Sequence, residues 1–435
     1  MRRNQRGYRK NKKNNHELQD RKFIKTLSIS VLVLIVLLVF ISIVYAICQA
    51  IEHNKFLKSV NEELEQAKSE ISDVQEEPKK EEKTDISFTL TAIGDIMCHN
   101  TQYMDAFNSE TNEYDFSYVF KEISNYTKLG DIAIGSLETS FAGSAKGYSN
   151  YPTFNSPDSL AYDLKKIGID VLSTAGNHCL DMGFPGLSRT IDVLDDADIS
   201  HLGTYKSQED RDTILVKNVK GANIAFINYT YGTNGIPIPS GQEFCVNLID
   251  KELIKSDIAK AKEQNVDLIV ACMHWGTEYL TTANQEQEEL ADFLFQNGVD
   301  IILGNHPHVL EPMKKKTITL EDGRTKDVFV IYALGNFICD QNAENTRNSI
   351  ILNLKMTKHI DNKITIDKVD YVPIYMYKDN SSGVQKMRLL DIQKNIDNYE
   401  IDINNGVKPA ISQSLYNNLK IQLEKIRKIV EPNEI

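Results

Sequence analysis

Cysteine, tryptophan and proline are scarce in this chain of 435 residues, which contains six cysteines, one tryptophan and eleven prolines. Five of the cysteines follow the apolar N-terminal segment at scattered spacings, and this odd number does not predict a disulfide framework. We expect each of these five to be a small buried apolar side chain. The few prolines, together with 22 glycines and a 41% hydrophobic composition, exclude collagen-like, mucin-like and wholly disordered chains.

Positive charge is deficient over most of the chain and is concentrated at the N terminus. Residues 1–25 contain ten Lys or Arg and two acidic residues, a net charge of +8, whereas the whole chain carries −12. Residues 26–50 are uncharged, so residues 51–435 carry −20. Nucleic-acid binding depends on Lys and Arg that neutralise phosphates, and the acidic body therefore argues against nucleic acid as a partner.

Residues 26–51 form an uncharged run rich in Leu, Ile and Val, longer than the ~20 residues that a helix needs to cross a bilayer core. The basic block precedes this run, which favours a cytoplasmic N terminus. A cleaved signal peptide is the alternative, but its apolar core would span about 7–15 residues. Lipoprotein processing at Cys48 is disfavoured because Ile47, which is not small, precedes it. We expect a single-pass signal anchor in the cell membrane and an extracytoplasmic main domain.

A short stalk is predicted after the apolar run. Apolar residues recur there at heptad spacing over fewer than three heptads, which leaves open a simple spacer or a homodimer contact. The seam consists of Leu57, Val60, Leu64, Ala67, Ile71 and Val74. The sequence thus predicts a basic cytoplasmic tail (1–25), a signal anchor (26–51), a stalk and charged linker (52–84), a main domain (85–375) and a polar C-terminal extension with a helix (376–435).

The main domain alternates apolar strands with helices, a pattern typical of an α/β fold with a buried sheet. Helices are predicted over 159–167, 185–194, 251–264, 285–296 and 413–430. A hairpin around Lys220 and Gly221 is predicted to join ILVKNV to ANIAFINYTYG. The late strands VFVIYALGNF, SIILNLKM and KITIDKVDYV indicate antiparallel additions to the sheet.

Polar residues stand at the carboxyl ends of the predicted strands, where ligands bind in open α/β sheets. Two carboxylates, a carboxamide and several imidazoles form a nitrogen and oxygen ligand set that suits Mn, Fe or Zn. The same set supplies the bridging and terminal ligands that a two-metal cluster needs. These residues are Asp95, Glu138, Asn177, His178, His274, His306 and His308.

Six motifs follow one another in order: GDIM (94–97), GSLE (135–138), GNHCLDMG (176–183), MHWGTEY (273–279), GNHPHV (304–309) and YALGNF (332–337). From about residue 87 to 375 the chain therefore resembles the metallophosphoesterase superfamily and, within it, the CapA family of capsule-synthesis proteins. The resemblance implies a metallophosphatase-like layered α/β domain. It also implies an anchored metal-dependent hydrolase that serves synthesis or export of a poly-γ-glutamate-like capsule, together with polymer-synthesis machinery in the membrane.

The resemblance further implies a dinuclear site for divalent Mn, Fe or Zn, with a role for each matching residue. Asp95 and His308 resemble first-metal ligands, and Glu138 resembles the bridging carboxylate. The residues that resemble second-metal ligands are Asn177, His274 and His306. The imidazole of His178 is expected to act at a leaving oxygen, and Asp181 is close enough in sequence to orient it.

The first motif departs from the superfamily pattern because Asp95-Ile96-Met97 lacks the usual histidine. His99 would replace it if a helix began after Asp95, since residues four apart share a helix face; an exposed histidine at a helix start is the alternative. Glu138 stands where phosphoesterases carry Asp. Asp131 precedes Glu138 by seven residues of strand, roughly 23 Å, so we expect it at the opposite end of the sheet.

Three functions remain open on the sequence alone: the capsule-related hydrolase, a surface phosphoesterase unrelated to capsule, and a non-catalytic scaffold of a polymer-synthesis complex. The incomplete first motif makes metal binding a firmer expectation than catalysis. Trp275 is expected in the core or in a pocket wall beside His274. Glu278, Tyr279 and Asn336 are candidates for the pocket, for which surface or capping roles serve equally well.

Overall fold

The computed structural model describes residues 34–66, 84–320, 323–379 and 386–431. The chain divides into two compact units, Met1–Glu82 and Lys83–Ile435. In the first unit, helix α1 (Leu34–Gln66) is long and apolar enough to cross a membrane, by its length and composition. It contains residues 34–51 of the expected anchor. The basic tail, the start of the anchor, and residues 67–83 of the stalk and linker lie outside the described residues.

The second unit contains two large mixed sheets. In the first, β1, β4, β5 and β6 are mutually parallel, β13 pairs parallel to β1, and β14, β15 and β16 are antiparallel additions. From edge to edge this sheet consists of β16 (Lys386–Asp391), β15 (Ile364–Asp379), β14 (Asn348–Lys358), β1 (Ile86–Ile96), β4 (Ile132–Leu137), β5 (Val171–Ser173) and β6 (Ser200–Leu202), with β13 (Asn336–Ile338) beside β1.

The second sheet has four parallel central strands and antiparallel strands at both edges. Its order is β11 (Met313–Thr319), β12 (Thr325–Ile331), β10 (Ile301–Asn305), β9 (Leu268–His274), β8 (Ala222–Thr230) and β7 (Leu215–Val219). The predicted hairpin joins β7 to β8 through Lys220 and Gly221, whose φ angles of 52° and 95° are those that a tight hairpin turn requires. A small separate hairpin pairs β2 (Phe107–Asn108) with β3 (Glu113–Tyr114).

The two sheets pack face to face, and helices cover their outer faces. Along β1, Leu90 points into the core between the sheets and Ile93 points to the opposite face, as the two-residue period of a strand requires. Leu160 and Leu164 of α5 (Ser159–Lys166) pack on that outer face, while Ile254 of α8 (Lys251–Glu263) packs on the outer face of the second sheet. The expected layered α/β fold is therefore confirmed. The helices of this unit are α2 (Asn100–Ala106), α3 (Ser117–Phe120), α4 (Ser124–Thr127), α5 (Ser159–Lys166), α6 (Gly183–Asp196), α7 (Gln208–Asp212), α8 (Lys251–Glu263), α9 (Gln285–Asn297), α10 (Ile392–Asn404) and α11 (Gln413–Val430).

Helices α8, α9 and α11 begin where capping side chains place them. The Asp250 side chain accepts a hydrogen bond from the Leu253 amide at the start of α8. Asn284 and Gln287 form a reciprocal capping box at the start of α9, so both helices begin at the predicted residue. The Ser412 side chain accepts a hydrogen bond from the Leu415 amide at the start of α11, and this helix spans the predicted residues.

Two sequence expectations need correction. The run VFVIYALGNF is not one strand, because its first half is β12 of the second sheet and its end is β13 of the first. The boundary expected at 375 lies within β15, and the residues after it belong to the same compact unit. Ile396 of α10 and Leu419 and Ile426 of α11 join the core between the sheets, which explains the role of this C-terminal region.

Candidate functional site

The candidate site lies where the carboxyl ends of the two sheets meet. The first sheet contributes Asp95 in β1, Glu138 directly after β4, and Asn177 with His178 in the loop after β5. The second sheet contributes the residue that ends β9 and two that follow β10, namely His274, His306 and His308. All seven side chains are buried. The structure thus brings together every residue that the sequence placed at a strand end.

Two glycines allow the site-bearing strands to approach their neighbours. A Cβ atom on Gly94 would lie 1.8 Å from the Gly335 carbonyl oxygen, and one on Gly304 would lie 1.8 Å from the Tyr332 carbonyl oxygen. Any side chain at either position would push the strands apart. Glycine is therefore sterically required at positions 94 and 304, where it allows Asp95 and the loop after β10 to take their places.

Hydrogen bonds join the two halves of the site. The His306 amide donates to Oδ2 of Asp95 at 3.0 Å. Nε2 of His274 donates to Oδ1 of Asn177 at 2.8 Å. Each bond links a residue of one sheet to a residue of the other, so the relative position of the sheets fixes the geometry of the site.

Glu138 occupies the middle of the cluster. Its Oε1 lies 3.7 Å from Nε2 of His274, and its Oε2 lies 3.8 Å from Nδ1 of His308. Nδ1 of His308 is also 3.9 Å from Oδ2 of Asp95. Ligand atoms of Glu138, His306 and His308 lie within 4.8 Å of one another, close enough to hold one metal ion. The two oxygens of Glu138 therefore face different histidines.

The donor atoms of the cluster lack protein partners. Within the described part of the chain, Oδ1 of Asp95 and both carboxylate oxygens of Glu138 are buried without a hydrogen bond. The same is true of Nδ1 in His274 and in His306. Buried polar atoms are normally satisfied, and buried acceptors without partners that gather in one place fit a cation. The residues present therefore suit a divalent metal of the class expected from their chemistry.

Burial shifts the pKa values of the ionisable groups in the cluster so that the neutral form of each group is favoured. Desolvation raises the pKa of Glu138 well above its usual value, and the nearby Asp95 charge raises it further. Desolvation likewise raises the pKa of Asp95, while it lowers that of His306 to about 4 and that of His308 to about 3. The imidazoles are thus held neutral, the state in which they bind metals, and a bound cation would favour the ionised carboxylates.

His178 and Asp181 form a buried pair beside the cluster. Nδ1 of His178 lies 2.8 Å from Oδ2 of Asp181, which also accepts a 2.6 Å hydrogen bond from the Phe154 amide. The Phe154 ring meets the His178 ring edge-on, with centroids 4.8 Å apart. A carboxylate at Nδ1 fixes the tautomer and orientation of the imidazole and directs Nε2 away from Asp181.

The expectation that His99 replaces the absent histidine requires a helix that begins directly after Asp95, and the described residues 96–99 form no helix. Strand β1 continues to Ile96, and His99 is the N-cap of α2, so Asp95 and His99 do not share a helix face. Nδ1 of His99 accepts a hydrogen bond from the Asp340 amide at 3.1 Å. Met97, which stands at the position of the usual histidine, packs with Phe154 and Cys339. Neither His99 nor Met97 therefore belongs to the cluster of candidate ligands.

Some of the remaining candidate residues lie near the cluster, and others lie away from it. Asp131 immediately precedes β4, at the strand end opposite Glu138, and accepts a hydrogen bond from the Thr89 amide. Trp275 is buried and its Nε1 donates to the Tyr332 carbonyl oxygen, as a core residue. Asn336 contacts a candidate ligand directly, since its Oδ1 lies 3.1 Å from Nδ1 of His308. Tyr279 lies at the rim, its ring centroid 6.0 Å from that of His308.

The sequence reasoning missed Tyr231 and Asn234 in the loop after β8. The Tyr231 ring lies 4.5 Å from the His306 ring, between centroids, and borders a cavity of about 450 Å³. The cavity is also lined by Trp275 and Gln287. Asn234 contacts both Asn177 and His178. The available signal was the Asn-Gly pair shortly after an apolar strand, which predicts a tight turn at the carboxyl edge of the sheet.

The backbone at two histidines is in the left-handed region. His306 has a φ of 98° and His308 a φ of 60°, on either side of Pro307. Residues other than glycine rarely adopt these angles, and such conformations concentrate at functional sites. The turn aims both imidazoles at the cluster.

Comparison with known proteins identifies a matching family and similar individual proteins, whose descriptions agree with one another. Residues 89–341, more than half of the chain, match the family described as "Bacterial capsule synthesis protein PGA_cap". "Capsule biosynthesis protein CapA" of Bacillus anthracis is 29% identical over 295 residues, which cover 66% of this chain and 67% of that protein. "PGA biosynthesis protein CapA" of Bacillus subtilis is 26% identical over 305 residues, covering 68% of this chain and 74% of that protein.

Solved structures show weaker likeness. The NAD nucleotidase of Haemophilus influenzae is 14% identical with a TM-score of 0.43; the match covers 80% of this chain and 61% of that chain, so this chain spans about three fifths of its length. The calcineurin-like phosphoesterase YfkN of Bacillus subtilis is 14% identical with a TM-score of 0.38, and the match covers 70% of this chain and 94% of that chain.

Proposed function

Because the chain belongs to the family of bacterial capsule synthesis proteins, we propose that it is a membrane-anchored, extracytoplasmic metal-dependent hydrolase for a capsule polymer of the poly-γ-glutamate type. Helix α1 is the proposed anchor. The hydrolase would act beside polymer-synthesis machinery in the same membrane, during synthesis or export of the polymer.

One observation carries the hydrolase part of this proposal. Six side chains with metal-binding atoms converge from two sheets within residues 89–341, and several of those atoms are buried without partners. Chance rarely gathers two carboxylates and three imidazoles in a buried space, because each unpaired polar group costs about 1–3 kcal/mol. Bound cations would offset this cost. A cluster that served only as part of the core would consist of apolar side chains, which carry no such cost.

Each residue has a defined part in the proposed activity. Asp95, Glu138 and His308 would hold one divalent cation, and Glu138 would share a second with the remaining ligands, Asn177, His274 and His306. Cations held there would supply Lewis-acid polarisation of the bond to be cleaved and stabilise the negative charge that develops.

The leaving group would be served by His178. Asp181 holds the Nδ1–H of His178 and would stabilise the imidazolium form, in which Nε2 carries a second proton; that Nε2 proton would pass to the leaving oxygen or nitrogen and leave the neutral imidazole. Tyr231 and Tyr279 flank the histidine cluster at its solvent side and would limit how a substrate approaches.

The decisive experiment combines metal analysis with a substrate screen. Full-length protein in detergent is stripped with chelator and dialysed against Mn²⁺, Fe²⁺ or Zn²⁺, and bound metal is measured after gel filtration. The loaded protein is then assayed on bis(p-nitrophenyl) phosphate and on poly-γ-glutamate. Retention of one to two metals with hydrolysis of poly-γ-glutamate supports the proposal. Hydrolysis of the phosphate ester alone would instead favour a metal-dependent phosphoesterase unrelated to capsule. Protein that binds no metal contradicts the proposal.

A specific observation favours a second candidate, the non-catalytic scaffold. Met97 replaces a ligand of the first-metal site, and its side chain is buried in an apolar cluster with Phe154 and Cys339. A site with fewer ligands would hold its first cation weakly. Metal binding at one position, with no hydrolysis of either substrate, would favour the scaffold.

A further inference from the structure

The loop that follows β8 enters the site through a tight turn. The Ile236 amide donates to the Thr233 carbonyl oxygen at 2.9 Å, and the two residues between them, Asn234 and Gly235, have φ angles of 53° and 75°. This is the geometry of a type I′ turn, for which Asn-Gly is a favoured pair. Ile236 packs beside an apolar cluster that includes Leu180, which anchors the turn.

The Asn234 side chain links two residues of the site. Its Oδ1 accepts a hydrogen bond from Nδ2 of Asn177 at 3.1 Å. Its Nδ2 lies 3.3 Å from Nε2 and 3.5 Å from Nδ1 of His178. A donor in line with one ring nitrogen would be much nearer to that nitrogen than to the other, so the similar distances place the amide over the ring face.

These contacts form one directed series. His274 donates to Asn177, Asn177 donates to Asn234, the Asn234 amide points to His178, and His178 faces Asp181. Each donor strengthens the next bond when all point the same way. The series also fixes the amide of Asn177, because its nitrogen is used by Asn234 and its oxygen therefore faces the cluster.

We propose that Asn234 is a positioning residue of this site: it holds the Asn177 oxygen toward the metal ligands and keeps the His178 ring in place. The contact over the ring face leaves the in-plane direction of Nε2 open, which is the direction a leaving group must occupy. Asn234 is itself exposed at the mouth of the site, so it restrains both residues from the solvent side. This inference rests on the proposed function for its catalytic consequence only.

Three variants of the full chain test the proposal. Asn234→Gly keeps the turn, because glycine accepts a φ of 53°, and removes both contacts. Asn234→Asp keeps the acceptor for Asn177 and removes the donor over His178. Asn265→Gly is the matched control, because Asn265 is also exposed with a φ of 53° and follows α8 away from the site.

The first readout needs neither metal nor activity. Metal-free protein is treated with diethyl pyrocarbonate, and modification of His178 is followed by mass spectrometry. Removing the cover over the ring should make His178 react several-fold faster in Asn234→Gly than in wild type or Asn265→Gly. An unchanged rate contradicts the placement of Asn234 over the ring.

The second readout is Mn²⁺ affinity together with kcat and KM on bis(p-nitrophenyl) phosphate. Asn234→Gly should lose about 10-fold in Mn²⁺ affinity and in kcat, the lower range for partners that orient metal ligands. Asn234→Asp should retain Mn²⁺ affinity and lose kcat at nearly constant KM. If Asn234→Gly matches Asn265→Gly in labelling, affinity and kcat, the inference is wrong. If wild type binds no Mn²⁺ but the labelling difference is present, the positioning stands and the proposed function fails.

Discussion

The backbone amide of His306 donates a 3.0 Å hydrogen bond to Oδ2 of Asp95, although the two residues belong to different sheets and are 211 positions apart in the chain. The bond satisfies one carboxylate oxygen, whereas Oδ1 is buried without a hydrogen-bond partner. A bond from an N–H group to an ionised carboxylate is stronger than one between neutral groups, so the contact gains strength when Asp95 is ionised. Metal binding and the docking of the sheets should therefore reinforce each other.

Ligand substitutions should remove metal without unfolding the protein. Glu138→Ala and His306→Ala should each lose most of the metal bound by wild type, because both residues belong to a group of ligand atoms within 4.8 Å of one another and the proposed cations depend on each other through Glu138. Metal content after gel filtration measures the effect. Asp131→Ala is the control, since this residue bonds to Thr89 and Lys220 at the far strand end and should keep full metal content. Full metal content in Glu138→Ala would exclude the proposed centre.

Substitutions in the histidine–aspartate pair should behave differently. His178→Ala should retain metal and lose hydrolytic rate by about 10²–10⁴-fold, the usual range for a general acid. Asp181→Asn should also retain metal and lose rate, because it disturbs the partner of Nδ1. Bound metal and kcat are measured on the same preparations. Loss of metal in His178→Ala would place this imidazole among the ligands.

Glu311 should make the folding stability depend on pH, separately from the ionisable groups of the cluster. This side chain is fully buried, one oxygen accepts a 2.6 Å hydrogen bond from Gln287, and desolvation raises its pKa from 4.5 to about 7. Between these values the folded protein keeps the proton that the unfolded chain releases, so stability falls as pH rises through this window and is independent of this group below it.

Glu311→Gln should remove that dependence. Relative to wild type, the variant should gain stability between pH 5 and pH 8, by at most on the order of 3 kcal/mol from a shift of this size. Urea unfolding of metal-free protein at both pH values measures the difference. The exposed Glu286→Gln serves as the control, and equal pH dependence in Glu311→Gln and wild type would contradict the assignment.

The expected topology can be tested on cells. With the basic block inside and α1 in the membrane, protease added to intact cells after wall removal should degrade the main domain. A cytoplasmic marker protein should survive the same treatment. Protection of the domain equal to that of the marker would overturn the proposed localisation.

The sequence predicts which candidate residues come together, because each lies at or just after the end of an apolar strand and the carboxyl ends of parallel strands meet at one edge of a sheet. Asp95 and His274 are examples, since both come at the end of buried runs. The sequence does not reveal which strands share a sheet, because that choice depends on contacts between distant segments. The split of VFVIYALGNF between the sheets and the C-terminal β16 therefore escaped prediction. Asn234 escaped for a similar reason, since its partners lie 56 and 57 positions earlier in the chain.

Under the proposed function, the left-handed backbone at His306 and His308 sets metal binding against stability. Each such conformation costs on the order of 1–3 kcal/mol for a residue other than glycine. A chain optimised only to stay folded would place glycine at both positions, since glycine adopts these angles freely. The presence of two histidines there means that the folded state is less stable than its own backbone permits. Directed evolution for thermostability alone should therefore replace these two histidines before it alters the surrounding sheets.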